Sequence, residues 1–281
     1  MNSVVLKTVV PLLLLIGAGF SSRKFGLLKK GDGRVLSAYV FYFALPALLF
    51  VNLSQISFSL DTLKFILAGI TPPWIAVGIL LLIYSIFRFS RNILFLLIIC
   101  TVFGSHSFFG LPFVLFAFET GEAEQLGVLS SSFIAISAVS ISITVLEMHK
   151  VQHLHIIDGL KQVAKKLSRN PLIIAIGAGV IFAAAGIDLP VPISRPLEML
   201  GRTAATVAIF MLGVSLYRDS YPNLKTAFFL CLIRMIFLPG LALLVVTIFG
   251  LANLQTSILV LMHATPMAIA TIVLSERYGF Y

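Results

Sequence analysis

Long apolar runs recur along almost the whole chain, and they restrict its fold more than any other feature does. Each run approaches or exceeds the roughly 20 residues that cross a hydrocarbon core of about 30 Å. Nine follow one another, at approximately 4–20, 35–53, 63–87, 93–117, 126–147, 171–188, 199–217, 226–249 and 254–275. Lipid offers the backbone no hydrogen bonds, so a spanning segment must be a helix or part of a closed barrel. The alternation and turn spacing of a barrel are absent. The expectation is an all-α polytopic membrane protein. Composition agrees: 59% of residues are hydrophobic, 11% are charged and the mean hydropathy is +1.06. A soluble domain carries about twice that share of charge.

A net charge of +9 would suit a nucleic-acid partner, but its distribution argues for lipid instead. The basic residues sit in short loops between apolar runs. With the N-terminus outside, the inner loops hold Arg23, Lys24, Lys29, Lys30, Arg34, Arg88, Arg91, Lys150, Lys161, Lys165, Lys166, Arg169, Arg218, Lys225 and Arg277. The outer side holds only Lys7, Lys64, Arg195 and Arg202. This bias sets an extracytoplasmic N-terminus. The expected location is a bacterial inner (plasma) membrane. The first run is longer than a signal-peptide core, with no basic region before it and no clear cleavage site after it, so it reads as a retained helix. Cys100 and Cys231 both lie inside apolar runs, which argues against a disulfide framework.

The longest inner loop, "HKVQHLHIIDGLKQVAKKLSRN", has apolar residues every three or four positions and reads as an amphipathic helix on the inner leaflet. It divides the chain into a first part at 1–147, a linker at 148–170 and a second part at 171–281. Five spans precede it and four follow. Five is odd, so a second repeat would enter the membrane inverted. The chain ends "SERYGFY" just after the ninth run, and an incomplete second repeat is expected.

Two runs carry helix breakers at mid-depth. The fourth contains "GSHSFFGLP", with Gly104, Ser105, His106, Ser107, Gly110 and Pro112; the ninth contains "HATP", with His263, Thr265 and Pro266. Each has a His and a hydroxyl before its proline. Interrupted segments at corresponding places in two halves point to a transporter binding site. One half-helix presents free N–H groups with partial positive charge, suited to an anionic group. The other presents free carbonyls, suited to a cation or a water. Pro46, Pro72, Pro73 and Pro239 also lie in spans, and most of them read as structural.

Further candidates have two readings each. His106 and His263 are proton carriers or hydrogen-bond partners of nearby carbonyls. Arg234 lies about nine residues, roughly 13 Å, into the eighth run. It balances a substrate carboxylate or snorkels to the inner surface. Asn52 lines the cavity or caps its helix. Gly213 permits close helix packing, and Ser215 serves packing or the site. His149 and His153 are four apart, with His155 nearby, but no Cys or carboxylate completes a set, so no metal site is expected. Phosphate-binding loops and zinc-binding His-Glu pairs are missing, so no enzyme and no bound cofactor are expected.

The stretches "YVFYFALPALLFVNLS" (39–54), "FGSHSFFGLPFV" (103–114), "IFMLGVSL" (209–216) and "HATPMAIATIVLSERYG" (263–279) resemble, in order, the auxin efflux carrier family. That family belongs with the bile acid:sodium symporter-like transporters. The resemblance implies two inverted five-helix repeats with broken, crossing fourth and ninth helices. It also implies a tenth helix that is absent from this chain. It further implies outer scaffold helices, a mobile transport domain and organic-anion substrates such as auxin or dicarboxylates. The chain departs from the pattern at Ser105, where Asn is usual, and at His106, where a small residue is common. The combined expectation is a secondary transporter of a small organic anion, coupled to H+ or Na+, with the lipid bilayer as its environment and a homodimer as an admissible assembly. Two alternatives stand beside it: a bile-acid-type sodium symporter, and a receptor or incomplete carrier that binds without flux.

Overall fold

The computed structural model describes residues 2–29, 31–56, 59–118, 120–150, 168–217 and 224–268. Among them the chain is helical, and no strand is formed beyond one isolated backbone pair between Gly104 and Met267. Helix α1 covers Asn2–Lys24, and α2 (Asp32–Tyr39) runs through a π-turn at Val40–Ala44 into α3 (Leu45–Ser54). Then come α4 (Leu60–Phe87), α5 (Arg91–Val102), a second π-turn (His106–Gly110), α6 (Leu111–Ala117) and α7 (Gly121–Lys150). Helices α8 (Pro171–Ala184), α9 (Val191–Leu216), α10 (Leu224–Phe249) and α11 (Asn253–His263) follow. Among the described residues five helical stretches are long and apolar enough to cross a membrane: Asp32–Ser54, Leu60–Phe87, Gly121–Ser142, Val191–Leu216 and Phe228–Phe249. The chain is an all-α polytopic membrane protein. The amphipathic loop with His153 and His155, and the ninth run beyond residue 268, lie outside the described residues.

The helices form where the apolar runs are, because burying unpaired backbone in lipid costs several kcal/mol per group. Prolines decide how regular each helix is. Pro46 has no N–H to offer the Tyr42 carbonyl, and its ring would clash there. The chain widens instead into the π-turn, with the Leu45 N–H bonded to the Val40 carbonyl, and Pro46 falls in the first turn of α3. Pro112 likewise follows directly on a π-turn, His106–Gly110, within one continuous helix that runs from His106 to Ala117.

The described residues group into two compact units. Unit 1 draws on Met1–Ser59, Ser107–Ser132 and Pro171–Pro222; unit 2 draws on Leu60–His106, Phe133–Asn170 and Asn223–Tyr281. Each unit takes segments from both sides of the 148–170 linker, so compactness and sequence halves divide the chain differently.

In unit 1, α9 packs on α1, on α3 and on the first π-turn, and α8 packs on α3. The contact between α1 and α9 is backbone to backbone. A Cβ at Gly19 would overlap the Phe210 carbonyl, and a Cβ at Gly213 would overlap the Ile16 carbonyl. Helices pack in lipid through such small residues, because no hydrophobic force draws them together there. Tyr39 and Thr203 share a hydrogen bond at 2.8 Å between their hydroxyls.

In unit 2, α10 packs on α4, α5 and α11, and α4 packs on α5. One apolar cluster joins Leu80 of α4, Leu94, Phe95, Ile98, Ile99 and Val102 of α5, and Ala138, Ile141 and Val145 of α7. Gly213→Val is expected to force α1 and α9 apart and destabilise the protein by about 1–3 kcal/mol. Thermal unfolding in detergent checks this, with Gly17→Val as control, since a Cβ at Gly17 meets nothing within 4 Å.

Candidate functional site

The site is built from carbonyl groups that the sequence releases from helices. In a regular helix the N–H of residue i+4 holds each carbonyl. Pro73 cannot do this for Gly69, so the Gly69 carbonyl inside α4 is left over. The ring Nε2 of His263, the last residue of α11, donates to it at 2.9 Å. Pro266 cannot hold the Met262 carbonyl, which accepts from the Thr265 hydroxyl at 2.9 Å and from the Thr265 N–H at 3.5 Å. The His263 carbonyl, freed because α11 ends there, accepts from Nη1 of Arg234 on α10 at 3.5 Å. All three side-chain donors are buried.

The two breaks meet. Beyond α5 the Phe103 N–H still reaches Ile99, but the Gly104 N–H turns to Val102 at 3.1 Å. The next two bonds cross to the other break. The Ser105 N–H donates to the Pro266 carbonyl at 2.9 Å, and the Ala268 N–H donates to the Phe103 carbonyl at 3.1 Å. This is a short antiparallel pairing of Gly104 with Met267. It supplies within the protein the hydrogen bonds that two unwound segments would lack in lipid. The fourth run therefore opens at Phe103–Ser105, ahead of the proline, and rewinds through His106–Gly110.

Gly104 is the seat of Arg234. A Cβ there would overlap Nη2 of the guanidinium and lie 2.7 Å from its Cζ and 2.8 Å from Nε2 of His106. The His106 and His263 rings stand edge to face, with centroids 6.3 Å apart. Both ring nitrogens of His106, Nδ1 of His263, and Nε and Nη2 of Arg234 are buried without a hydrogen-bond partner among the described residues. Two hydroxyls of α7 in this unit, Ser137 and Ser142, are in the same condition. Buried polar groups are nearly always bonded, so the five unbonded nitrogens of His106, His263 and Arg234 mark a place for a polar ligand or water.

Unit 2 thus gathers Gly104, Ser105, His106, Arg234, His263, Thr265 and Pro266. The snorkelling reading of Arg234 does not hold, because the side chain is fully buried and points to the α11 end. The remaining candidates belong to unit 1. Ser107, Gly110 and Pro112 are buried along the π-turn and α6. Pro46 follows the first π-turn, and Gly213 lies against α1. Ser215 is half-buried near the end of α9. The Asn52 amide donates to the Leu48 carbonyl at 3.0 Å and to Oε1 of Glu124 at 3.4 Å. Gln55, not Asn52, occupies the helix cap.

Gly69 and Glu124 were missed in the sequence. Pro73 carries the signal for Gly69: a proline in a span marks the carbonyl four residues earlier as an acceptor in need of a donor. His263→Ala is expected to strand the Gly69 carbonyl and cost about 1–3 kcal/mol. In a Pro73→Ala background the same change is expected to cost less, because removing the proline ring returns a backbone N–H to that carbonyl. A four-protein unfolding cycle in detergent measures the coupling. Equal costs in both backgrounds would refute the pairing.

Residues 4–281 match the family described as membrane transport protein. An uncharacterized transporter of Methanocaldococcus jannaschii is 26% identical over 281 residues, covering 96% of this chain and 88% of that protein. The chain belongs to the membrane transport protein family, the auxin efflux carrier-like group that its four sequence motifs resemble, and is a membrane transporter.

Proposed function

We propose that the protein is a secondary active transporter of small organic anions, auxin-like or dicarboxylate. It would work by alternating access at the crossed breaks of the fourth and ninth spans, driven by a proton or sodium gradient. The observation that carries this reading is the backbone pairing of 103–105 with 266–268, ringed by buried His106, His263 and Arg234. Unwound backbone at membrane depth is tolerated only inside protein or beside a cavity, and ion and substrate sites use such ends. The guanidinium offers the fork geometry that suits a carboxylate. Ser105, Ser107, Gly110, Pro112, Thr265 and Pro266 shape the two breaks, and Asn52 and Ser215 would line the path. In this reading 1–147 and 171–281 are inverted repeats joined by a cytoplasmic linker at 148–170, and the N-terminus is extracytoplasmic.

The test is charge movement in proteoliposomes challenged with malonate, malate, indole-acetate and taurocholate, with and without proton and sodium gradients. Labelled substrate covers electroneutral cycling. A sustained, gradient-sensitive flux is expected. Gly104→Ala, which displaces Arg234, is expected to lower it by more than about tenfold, a barrier change near 1.4 kcal/mol. Pro112→Ala is expected to do much less, because the unwound backbone lies at Phe103–Ser105 and the chain is already helical through Pro112. Binding without flux for every substrate would defeat the transporter mechanism and favour a receptor.

A further inference from the structure

Arg234 is the one charged side chain that is buried among the described residues. No carboxylate among the described side chains pairs with it. A lone buried cation is expensive, and its cost is offset only where something negative faces it. Here that role falls to helix ends. Helix α5 finishes at Val102 and α11 at His263, each ending at the crossing of the two breaks. The C-terminal end of a helix carries roughly half a negative elementary charge. Two such ends together come to about one, which the single guanidinium balances. One of the freed carbonyls, that of His263, accepts directly from Nη1. The space at Gly104 holds Nη2, and a side chain there would exclude it.

Two helix carbonyl ends meeting at mid-membrane ordinarily make a site for a coupling cation. We infer that Arg234 is this site's own cation: its guanidinium, held against the His263 carbonyl and Gly104, fills the place of a bound alkali ion, so the anion is bound and carried without sodium. The inference rests on the transporter reading and settles its coupling on the side that excludes sodium. An alkali ion at the same carbonyls would meet the guanidinium's like charge at contact distance. The unbonded Nε and Nη2 remain for the anion.

The experiment uses the full chain purified in detergent. Labelled sodium is tested first, without any anion, and no saturable binding is expected. Indole-acetate and malonate binding are then compared in sodium chloride and in N-methylglucamine chloride. Affinity is expected to differ by less than about twofold, well under the tenfold that 1.4 kcal/mol represents. Arg234→Ala is expected to lose about a hundredfold, as truncating one member of a buried charged contact does. Added guanidinium ion is expected to restore binding, and Arg234→Lys to remain sodium-indifferent.

Saturable sodium binding to the wild type would overturn the inference. So would a tenfold tightening of anion binding by sodium, or unimpaired anion binding by Arg234→Ala without an added cation. Should Arg234→Ala fail to stay monodisperse, the wild-type and Arg234→Lys sodium arms decide alone. Flux that demands sodium would sink this inference and spare the transporter reading. Absent flux for every anion, with sodium indifference intact, would do the reverse.

Discussion

A helix that breaks inside a membrane must find partners for the carbonyls it frees, and unit 2 is organised by that demand. Three freed carbonyls, of Gly69, Met262 and His263, are met by side chains of His263, Thr265 and Arg234. Each donor comes from the break itself or from the helix packed beside it. The breaks then satisfy one another through Ser105, Pro266, Phe103 and Ala268. These contacts are mutually dependent. His263 both ends a helix and holds a neighbour's carbonyl, while its own carbonyl is held by Arg234. A change at His263 therefore reaches both Gly69 and Arg234 through the hydrogen bonds that its ring and carbonyl make.

Small residues make the arrangement physically possible. At Gly104 the backbone comes so near Arg234 and His106 that no side chain fits. At Gly69 a Cβ would stand 3.1 Å from Leu259, which lets α11 approach α4 closely enough for His263 to reach its acceptor. Unit 1 uses the same device for a different end. Gly19 and Gly213 bring two helices into backbone contact, and among the described residues no charged side chain is buried in that unit. In one unit close approach serves rigid packing; in the other it serves polar pairing.

Length and polarity made much of this legible in the sequence. Apolar runs located the described helices to within a few residues at most ends, since hydrocarbon thickness fixes span length. The exception is the start of α9, which begins at Val191 although the apolar run starts near 199. Its first turns carry Arg195 and Glu198, so hydropathy undercounts the helix. The two breaks were also visible, as prolines beside His and hydroxyl residues. Their exact place was not. Pro112 drew attention to itself, yet the unwinding is at Phe103–Ser105; the helix is wound through Pro112, with a π-turn at His106–Gly110 just before it. The pairing of Asn52 with Glu124 was hidden because it joins residues 72 apart, and a single sequence holds no record of distance.

Within the proposed mechanism the two buried histidines cannot share one role. A carbonyl only accepts, so Nε2 of His263 must carry the proton that it gives to Gly69, which fixes that ring's tautomer and orientation when neutral. A ring that holds a helix together cannot let go during a transport cycle without opening α4's freed carbonyl to a dry interior. His106 carries no such duty, since neither of its nitrogens is engaged among the described residues. It sits where one unwound segment rewinds, edge to face with the fixed ring. A group that must exchange partners as an anion arrives and leaves has to be uncommitted in the resting protein. By that criterion His263 belongs to the architecture of the crossing, and His106 to its traffic.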